Sequence, residues 1–280
     1  MIKGKIILVT GGAGSVGSEL TKQLAPQNKI FILDINETAS FDLSQELKQE
    51  GHWVEARIGD IRDKETIEDL FADFKPQLVF HAAALKHVTP NEKYPLEAIQ
   101  TNVIGTYNVL HEARKYECLE KFIYISTDKV VNTNSIMGAT KKVGEIMVKN
   151  ANGLGIVVRF GNVLGSRGSL IPIWQRQIDQ NKPITITDER MMRYFMTMED
   201  ACELVIKSAE EGKGGEIYIL DMKERVNILE VAKKILKGAG KPDYPIRVIG
   251  MRSGETLKEY LMTEEEERVA IKKDKFWIIK

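Results

Sequence analysis

A glycine-rich turn between the first apolar run and the first helical pattern constrains the fold more than any other feature. The segment VTGGAGSVGSEL continues the run KIILVT, and Gly12, Gly14 and Gly17 fit the pattern G-x-G-x-x-G. Gly11, Gly14 and Gly17 also fit a wider G-x-x-G-x-x-G frame. Such a turn brings the backbone close to a pyrophosphate, and the helix that follows offers free N–H donors. The predicted cofactor contacts of this turn are Gly11, Gly14, Ser15, Val16 and Gly17.

An acidic residue at the end of the second apolar run supports this prediction. Asp34 closes the run KIFILD and follows Gly14 by 20 residues, which suits a carboxylate that binds the hydroxyls of an adenosine ribose. The same charge repels a 2′-phosphate, and neither Ile35 nor Asn36 supplies the cation that such a phosphate needs. We therefore expect NAD as the cofactor rather than NADP.

Two later strand ends extend the predicted cofactor site. The segment GDIRD follows the third apolar run, and there we expect Asp60 and Ile61 to meet the adenine ring. The segment HAAALKH ends the fourth run, where small side chains let a cofactor lie close to the backbone. These small residues are Ala82, Ala83 and Ala84.

The order of strands and helices predicts the fold class. Short β-branched runs alternate with helical patterns as far as Phe160: KIILVT, KIFILD, HWVEARIG, QLVFHAA, KFIYIST and GIVVRF. Such apolar strands between helices indicate an α/β fold, a doubly wound parallel sheet of the Rossmann type. After RFGNVLG the pattern loosens and predicts a smaller C-terminal α/β substrate-binding part. We expect residues 1–162 to form the NAD-binding domain, to which some later segments return, and residues 163–280 to form mainly the substrate domain.

Composition and charge narrow the classes of partner. The chain has 280 residues, and Lys+Arg and Asp+Glu both number 40, so no net charge attracts nucleic acid or an anionic membrane. Neither the two cysteines nor the four histidines have the spacing of a metal site, and no metal is predicted. The first apolar run is too short for a signal peptide or a membrane span, so we expect a cytoplasmic location.

With these residues in place, the chain resembles the extended short-chain dehydrogenase/reductase superfamily. Further segments occur in order along nearly the whole chain: HAAALKHVTPNEKYPLEAIQTNVIGTYNVL, STDKVVNTNSIMGATKK, RFGNVLGSRGSLIPIWQRQI, RYFMTMEDA and MRSGETLKEYL. They are similar to the CapD/FlaA/PglF-like nucleotide-sugar 4,6-dehydratases of capsule and flagellin-glycan biosynthesis. The resemblance implies that UDP-N-acetylglucosamine or a similar UDP-sugar is oxidised at C4 by bound NAD(P). Water is then eliminated across C5 and C6, and the hydride returns to C6.

The same resemblance assigns catalytic roles to the segment STDK and the helix after it. Thr127 would hydrogen-bond O4, Asp128 would protonate the leaving C6 hydroxyl, and Lys129 would take the C5 proton. These roles ask for a raised pKa of Asp128 and a lowered pKa of Lys129. Lys141 would bind the nicotinamide ribose and support a nearby base. Because Met137 stands where a tyrosine is usual, Asp128 or a water held by Thr127 would have to deprotonate O4.

A substrate site also follows from the resemblance. A neutral protein that binds a diphosphate needs local guanidinium donors, and we expect Arg193 and Arg252 to supply them, with Arg167 ranked below both. The full set of predicted substrate contacts is Lys86, Asn162, Arg193 and Arg252. A helix from Leu96 to Glu117 suits either the core or the helix pair of a homo-oligomer.

Two alternative functions stay open. A UDP-sugar 4-epimerase on the same scaffold shares the oxidation at C4 but needs no acid at C6, so Asp128 and Lys129 favour the dehydratase. A non-catalytic NAD-binding regulator would explain the missing tyrosine, although the retained polar residues argue against it. The sequence leaves the stereochemistry at C5, the identity of the UDP-sugar and the downstream glycan undetermined.

Overall fold

The computed structural model describes all residues from 1 to 280 and contains fifteen strands. They are β1 (Ile6–Thr10), β2 (Lys29–Asp34), β3 (Val54–Ile58), β4 (Leu78–His81), β5 (Lys121–Ile125), β6 (Gly155–Arg159), β7 (Asn162–Val163), β8 (Ile184–Ile186), β9 (Met192–Arg193), β10 (Phe195–Met196), β11 (Ile217–Leu220), β12 (Val226–Asn227), β13 (Ile246–Val248), β14 (Ile271–Lys273) and β15 (Phe276–Ile279).

Eleven α-helices cover or flank these strands, and none is long and apolar enough to cross a membrane. They are α1 (Ser15–Leu24), α2 (Glu37–Gln49), α3 (Lys64–Phe74), α4 (Val88–Lys93), α5 (Pro95–Ile99), α6 (Thr106–Ala113), α7 (Ile136–Lys149), α8 (Leu170–Asp179), α9 (Met198–Glu211), α10 (Ile228–Gly238) and α11 (Glu264–Val269). The segments Ala25–Gln27 and Asp128–Val130 form 3₁₀ turns, and Gln100–Gly105 forms a π-helix.

Nine strands form one sheet in the order β14-β15-β11-β6-β5-β4-β1-β2-β3. The seven strands from β11 to β3 pair in parallel, whereas β15 pairs antiparallel with β11 and with β14. The parallel strands are almost wholly apolar because helices bury both faces of the sheet. The predicted doubly wound α/β fold is confirmed.

Successive residues of each strand pack into different cores. Ile7 of β1 faces one apolar cluster, and Leu8 faces the cluster on the opposite side of the sheet, as the two-residue period of a strand requires. A third cluster lies apart from the sheet around Trp174 of α8 and Ile228 of α10. Residues after 163 thus supply strands to the central sheet and also form this separate core. The boundary at residue 162 stays a prediction.

The predicted helix from Leu96 to Glu117 is interrupted. It consists of α5, the π-helix and α6, and it ends at Ala113. Asn102 in the π-helix accepts the backbone N–H of Leu85 at 2.8 Å and donates to Thr140 Oγ1 on α7 at 3.1 Å. Because one wider turn lets Asn102 contact the loop after β4 and α7 together, the irregularity links two sides of the predicted site.

A buried ion cluster fastens the C-terminal segment to the sheet. Arg159 at the end of β6 is fully buried, and its guanidinium lies 2.9 Å from Glu145 on α7 and 2.8 Å from Glu266 on α11. Ser126 donates to Glu145 at 2.6 Å. Burial disfavours the charged guanidinium, but the two carboxylates outweigh it and raise the pKa of Arg159. The cluster joins β6, α7 and α11 in one network.

Replacing Arg159 by methionine should lower the free energy of unfolding by about 3–5 kcal/mol, because Glu145 and Glu266 lose their main partner in a largely dry site. Urea unfolding at neutral pH measures this loss. The control Arg176→Met removes an exposed arginine of α8 and should cost less than about 0.5 kcal/mol.

Acid should narrow the difference between wild type and Arg159→Met. Burial opposes ionisation of Glu266, yet Arg159 lowers the pKa of this carboxyl. A lowered pKa in the folded state stabilises the protein above the unfolded-state pKa, and this stabilisation is lost as pH falls through the folded-state pKa. A difference that stayed constant from neutral pH to acid would contradict the assigned ion pair.

Candidate active site

The glycine turn after β1 forms a cradle that side chains would fill. Gly11 has a φ of 66°, and a Cβ at this position would lie 2.6 Å from the backbone nitrogen of Ala83. A Cβ at Gly14 would lie 2.9 Å from the carbonyl oxygen of Gly11, and a Cβ at Gly17 would collide with the same atom. Helix α1 begins at Ser15 without a side-chain cap, so its first N–H groups are free. The residues present therefore fit a pyrophosphate.

Asp34 is fixed beside this cradle by two backbone donors. Its Oδ2 accepts the N–H of Ala13 at 3.0 Å, and its Oδ1 accepts the N–H of Asn36 at 2.9 Å. A carboxylate has about four acceptor positions, so capacity is left for two ribose hydroxyls. The next side chain, Ile35, is 69% exposed and apolar. Two backbone N–H groups therefore fix the Asp34 carboxylate, and its remaining acceptor positions fit the hydroxyls of a ribose.

The other predicted cofactor residues differ in how they face the cradle. Partial burial opposes ionisation of Asp60, but hydrogen bonds and charge from Arg62 lower its pKa and tie the carboxylate to that side chain. Ile61 is only 5% exposed and packs against Gly105 in the core, and its contact with an adenine ring stays a prediction. The residues that remain partly exposed near the glycine turn are Val16, Ala82, Ala83 and Ala84.

The predicted catalytic residues lie together at the start of the 3₁₀ turn after β5. Thr127 caps this turn, and its hydroxyl donates to Asp128 Oδ1 at 3.0 Å. Lys129 Nζ lies 3.0 Å from the same oxygen. Asp128 is 1% exposed, and no hydrogen-bond donor reaches its buried Oδ2. The structure thus brings Thr127, Asp128 and Lys129 into one hydrogen-bonded group.

Asp128 has the raised pKa that its predicted role requires, whereas Lys129 does not have a lowered one. Burial raises the pKa of Asp128 to about 7, Lys129 opposes the rise and Glu259 adds to it, which agrees with an acid that is protonated near neutral pH. Burial alone would lower the pKa of Lys129, but Asp128 and Glu259 raise it instead. The expected lowering of the Lys129 pKa was therefore wrong for this state of the protein, because two carboxyl groups flank the ammonium.

Glu259 lies outside the predicted set, yet it connects the predicted residues. Its Oε1 lies 2.8 Å from Lys129 Nζ and 3.2 Å from Arg193 Nε, and its Oε2 accepts from Asn162 at 3.3 Å. Burial opposes its ionisation, but Lys129 and Arg193 lower the pKa of Glu259 to about 2. Within the segment MRSGETLKEYL nothing distinguishes it from Glu255, so only the fold identifies it.

A cleft that is open to solvent adjoins this group. It is lined by Asp128, Lys129, Asn162, Arg193, Arg252 and Glu259, among other residues of the C-terminal part. The structure therefore brings three of the four predicted substrate residues to the catalytic group. Lys86, the fourth, does not line the cleft.

Arg193 and Arg252 are available to a ligand to different degrees. Arg193 is 7% exposed, and its guanidinium donates to Thr256 O at 2.7 Å and to Met192 O at 2.8 Å, besides its contact with Glu259. These partners occupy Arg193 in holding the segment that carries Glu259, so its predicted contact with a diphosphate stays a prediction. The side chain of Arg252 is 46% exposed and lies 3.7 Å from Glu255, which leaves it free to meet a phosphate.

Lys141 is turned inward. Its Nζ donates to the carbonyl oxygen of Ile125 at 2.6 Å and lies 3.9 Å from the centre of the Tyr124 ring. Burial lowers the pKa of Lys141 to about 7, and the nearby Glu145 opposes this shift. Met137, one turn earlier on α7, is 3% exposed. Lys141 is therefore close to the catalytic strand end, and its contact with a nicotinamide ribose stays a prediction.

Arg167 crosses from the loop after β7 to the glycine turn. Its backbone N–H donates to Ser15 Oγ at 3.0 Å, and its guanidinium donates to the carbonyl oxygen of Ala13. Loss of hydration and then the charge of Arg167 lower the pKa of Lys86, so these two cations lie near each other. Lys86 and Arg167 thus belong to the cradle side of the site and not to the cleft.

A dinucleotide cradle and a buried acid–base group at one sheet edge define an extended short-chain dehydrogenase/reductase. A family model described as "Polysaccharide biosynthesis protein" matches residues 7–280, and the chain belongs to that family. The resemblance drawn from the motifs is confirmed.

Relatives in this family carry several descriptions. The chain is 42% identical over 275 residues to "Capsular polysaccharide biosynthesis protein CapD" of Staphylococcus aureus, a match that covers 94% of this chain and 46% of the relative. This chain thus spans about half the length of CapD. It is 34% identical over 290 residues to "UDP-N-acetylglucosamine 4,6-dehydratase (inverting)" of Campylobacter jejuni subsp. jejuni serotype O:23/36, with 100% and 84% of the two chains covered.

An epimerase and a solved structure are also similar. A "UDP-glucose 4-epimerase" of Rickettsia bellii (strain OSU 85-389) is 37% identical over 280 residues, with 95% of this chain and 80% of the relative covered. The X-ray structure of Pen from Bacillus thuringiensis superposes with a TM-score of 0.93 at 32% identity, and the match covers 99% of this chain and 89% of that chain.

Replacing Arg167 by alanine should weaken dinucleotide binding by about 10-fold, because the charge-assisted hydrogen bond from its guanidinium to the carbonyl oxygen of Ala13, which holds the glycine turn, is lost. Calorimetric titration of the protein with NAD measures the affinity directly. The control Arg176→Ala removes another exposed arginine of the same region and should leave the affinity unchanged. Equal affinities of wild type and Arg167→Ala would contradict the assigned contact.

Proposed function

We propose that the protein is an NAD-dependent 4,6-dehydratase of UDP-N-acetylglucosamine or a similar UDP-sugar, in the biosynthesis of a surface polysaccharide or glycan. One observation carries this proposal: Asp128 lines the cleft as a buried carboxyl whose pKa is raised to about 7. Elimination of a hydroxyl from C6 needs a proton donor there, whereas epimerisation at C4 does not.

NAD is the cofactor that the cradle supports. Gly11, Gly14 and Gly17 leave room for a pyrophosphate, and the carboxylate of Asp34 faces the ribose position with an apolar Ile35 beside it. A 2′-phosphate would meet the negative charge of Asp34 without a neighbouring cation. When bound, the nicotinamide supplies reversible acceptance of a hydride. The residues of this chain then have to manage protons and hold the sugar.

The proposed roles follow the geometry of the group after β5. The hydroxyl of Thr127 orients O4 and stays hydrogen-bonded to Asp128. Asp128, protonated near neutral pH, donates to the leaving oxygen at C6. Lys129 takes the C5 proton, for which its ammonium must first lose a proton. Because Met137 cannot exchange a proton and Asp128 already carries one at rest, removal of the O4 proton falls to a water held by Thr127.

We also propose that the protein forms a homo-oligomer. Several large apolar side chains of α5, the π-helix, α6 and α7 are between 41% and 71% exposed, and a second copy of the chain would cover them. They are Leu96, Ile99, Ile104, Tyr107, Val143 and Ile146.

A 4-epimerase is the second candidate function, and the similarity to the Rickettsia bellii epimerase favours it. It would use the same oxidation at C4 and the same cleft. The buried proton donor at Asp128 is the feature that it leaves without a role. In a non-catalytic NAD-binding regulator, the group of Thr127, Asp128 and Lys129 would have no role in catalysis.

Incubation with UDP-N-acetylglucosamine should yield a product lighter by the mass of one water, with a new C6 methyl signal in the NMR spectrum. An isomer of unchanged mass would show the epimerase instead. Absence of turnover with several UDP-sugars, while NAD still binds, would leave the regulator as the surviving hypothesis.

Asp128→Asn and Lys129→Ala should each lower dehydratase kcat by about 100- to 10,000-fold, because each removes one proton-transfer group. Steady-state kinetics on purified variants measures the loss, and circular dichroism confirms that each variant is folded. The control Lys64→Ala removes an exposed lysine of α3 and should keep wild-type activity. Full activity of Lys129→Ala would refute its assignment as the base.

A further inference from the structure

The carboxyl groups of Asp128 and Glu259 face one ammonium group between them. Lys129 Nζ lies 3.0 Å from Asp128 Oδ1 and 2.8 Å from Glu259 Oε1, and both carboxyl groups are buried. Asp128 comes from the turn after β5, whereas Glu259 comes from the segment before α11. The fold therefore assembles a carboxyl, an ammonium and a second carboxyl from distant parts of the chain, at the wall of one cleft.

Asp128 and Glu259 differ in the number of cations and hydrogen-bond donors that face their carboxyl groups. Glu259 faces the cations Lys129 and Arg193 and accepts from Asn162, so both of its oxygens have donors. Asp128 faces Lys129 and Glu259, accepts from Thr127, and has no donor at Oδ2. A single proton shared by the pair belongs on Asp128, because the ionised form of Glu259 is the better solvated of the two.

A proton on Asp128 also resolves its unsatisfied oxygen. A buried carboxylate oxygen without a donor is costly, whereas a protonated carboxyl can donate a hydrogen bond. Glu259 is within reach as the acceptor of that bond.

We propose that Glu259 is the positioning residue of a carboxyl pair that shares one resting proton: by staying ionised between Lys129 and Arg193, it keeps that proton on Asp128. This inference rests on the proposed dehydratase function.

The protons balance through the elimination step. Lys129 first releases its ammonium proton to water in the open cleft and becomes a neutral amine. In the 4-keto sugar the C5–H bond then breaks, its proton binds Lys129, and its electron pair forms the C5=C6 double bond. The C6–O bond breaks with its pair, and the oxygen takes the Asp128 proton and leaves as water. Asp128 finally regains a proton from water in the cleft, which restores Asp128 and Lys129 to their starting states, while Glu259 stays ionised throughout.

The resting pair can be tested without turnover. Carbon-13 NMR of labelled carboxyl groups, with Asp128→Asn used to assign the signal, follows the titration of Asp128 in the folded protein. We expect a midpoint well above that of an ordinary aspartate in wild type. In Glu259→Gln the midpoint should fall by one pH unit or more, because the charge of Glu259 raises the Asp128 pKa. An ordinary midpoint in wild type, or one that Glu259→Gln does not move, would overturn the proposal.

The pH profile of turnover separates a proton-holding role from a structural one. Activity that needs protonated Asp128 is lost as pH rises through the folded-state pKa of Asp128. The alkaline limb of the pH profile of kcat should therefore have its midpoint near pH 7 in wild type. Glu259→Gln should lower kcat at least about 10-fold, with a smaller change in KM, and move the limb to lower pH. Glu259→Asp, which keeps the carboxyl, should restore part of kcat and return the limb towards wild type.

Two comparisons make the outcome decisive. Glu264→Gln removes an exposed carboxylate of α11 and should leave both kcat and the limb unchanged. A lower kcat of Glu259→Gln with an unmoved limb would show a purely structural role and would overturn the proposal. If wild type turns over no UDP-sugar, the proposed function fails, and the carboxyl titration by NMR still decides whether the pair shares a proton.

Discussion

The contact between Lys129 and Glu259 is the interaction on which the candidate site depends. It joins the end of β5 to the segment before α11, and Arg193 strengthens the same junction through Glu259 and the carbonyl of Thr256. A buried ion pair adds little net stability, because desolvation cancels most of the attraction, but it fixes which groups stand together. Ion pairs between the two parts of the chain therefore hold the wall of the cleft together. The same ion pairs set the protonation states of the residues in that wall.

Local sequence predicts much of the fold and part of the site. The glycine turn and Asp34 follow from short-range rules of strand, turn and helix, so their positions can be inferred from the order of residues alone. The raised pKa of Asp128 was expected only from the role that the family resemblance implies, and the fold supplies its causes, which are burial and the neighbouring Glu259. Glu259 could not be predicted in this way, because its role comes from contacts with Lys129 and Asn162, which are remote in sequence.

The differences between the sequence predictions and the structure have one physical origin. A lowered pKa of Lys129 was expected because a base must be neutral, whereas the fold places the carboxyl groups of Asp128 and Glu259 on either side of its ammonium. Lys86 does not line the cleft and lies near Arg167, because the loop after β7 folds back over the glycine turn, and its contact with a substrate stays a prediction. Ile61 packs against Gly105, at the π-helix that no sequence pattern indicates. Each difference concerns long-range packing and not the type of local element.

The ion cluster of Arg159, Glu145 and Glu266 restricts how this part of the sequence can change during evolution. Loss of any one of the three residues leaves an unpaired charge in a dry interior. Simultaneous replacement of all three by apolar residues of similar volume is often tolerated. Variants in which only one or two of the three residues are replaced are therefore the unstable ones. The three positions should therefore change together in descendants of this chain or not at all.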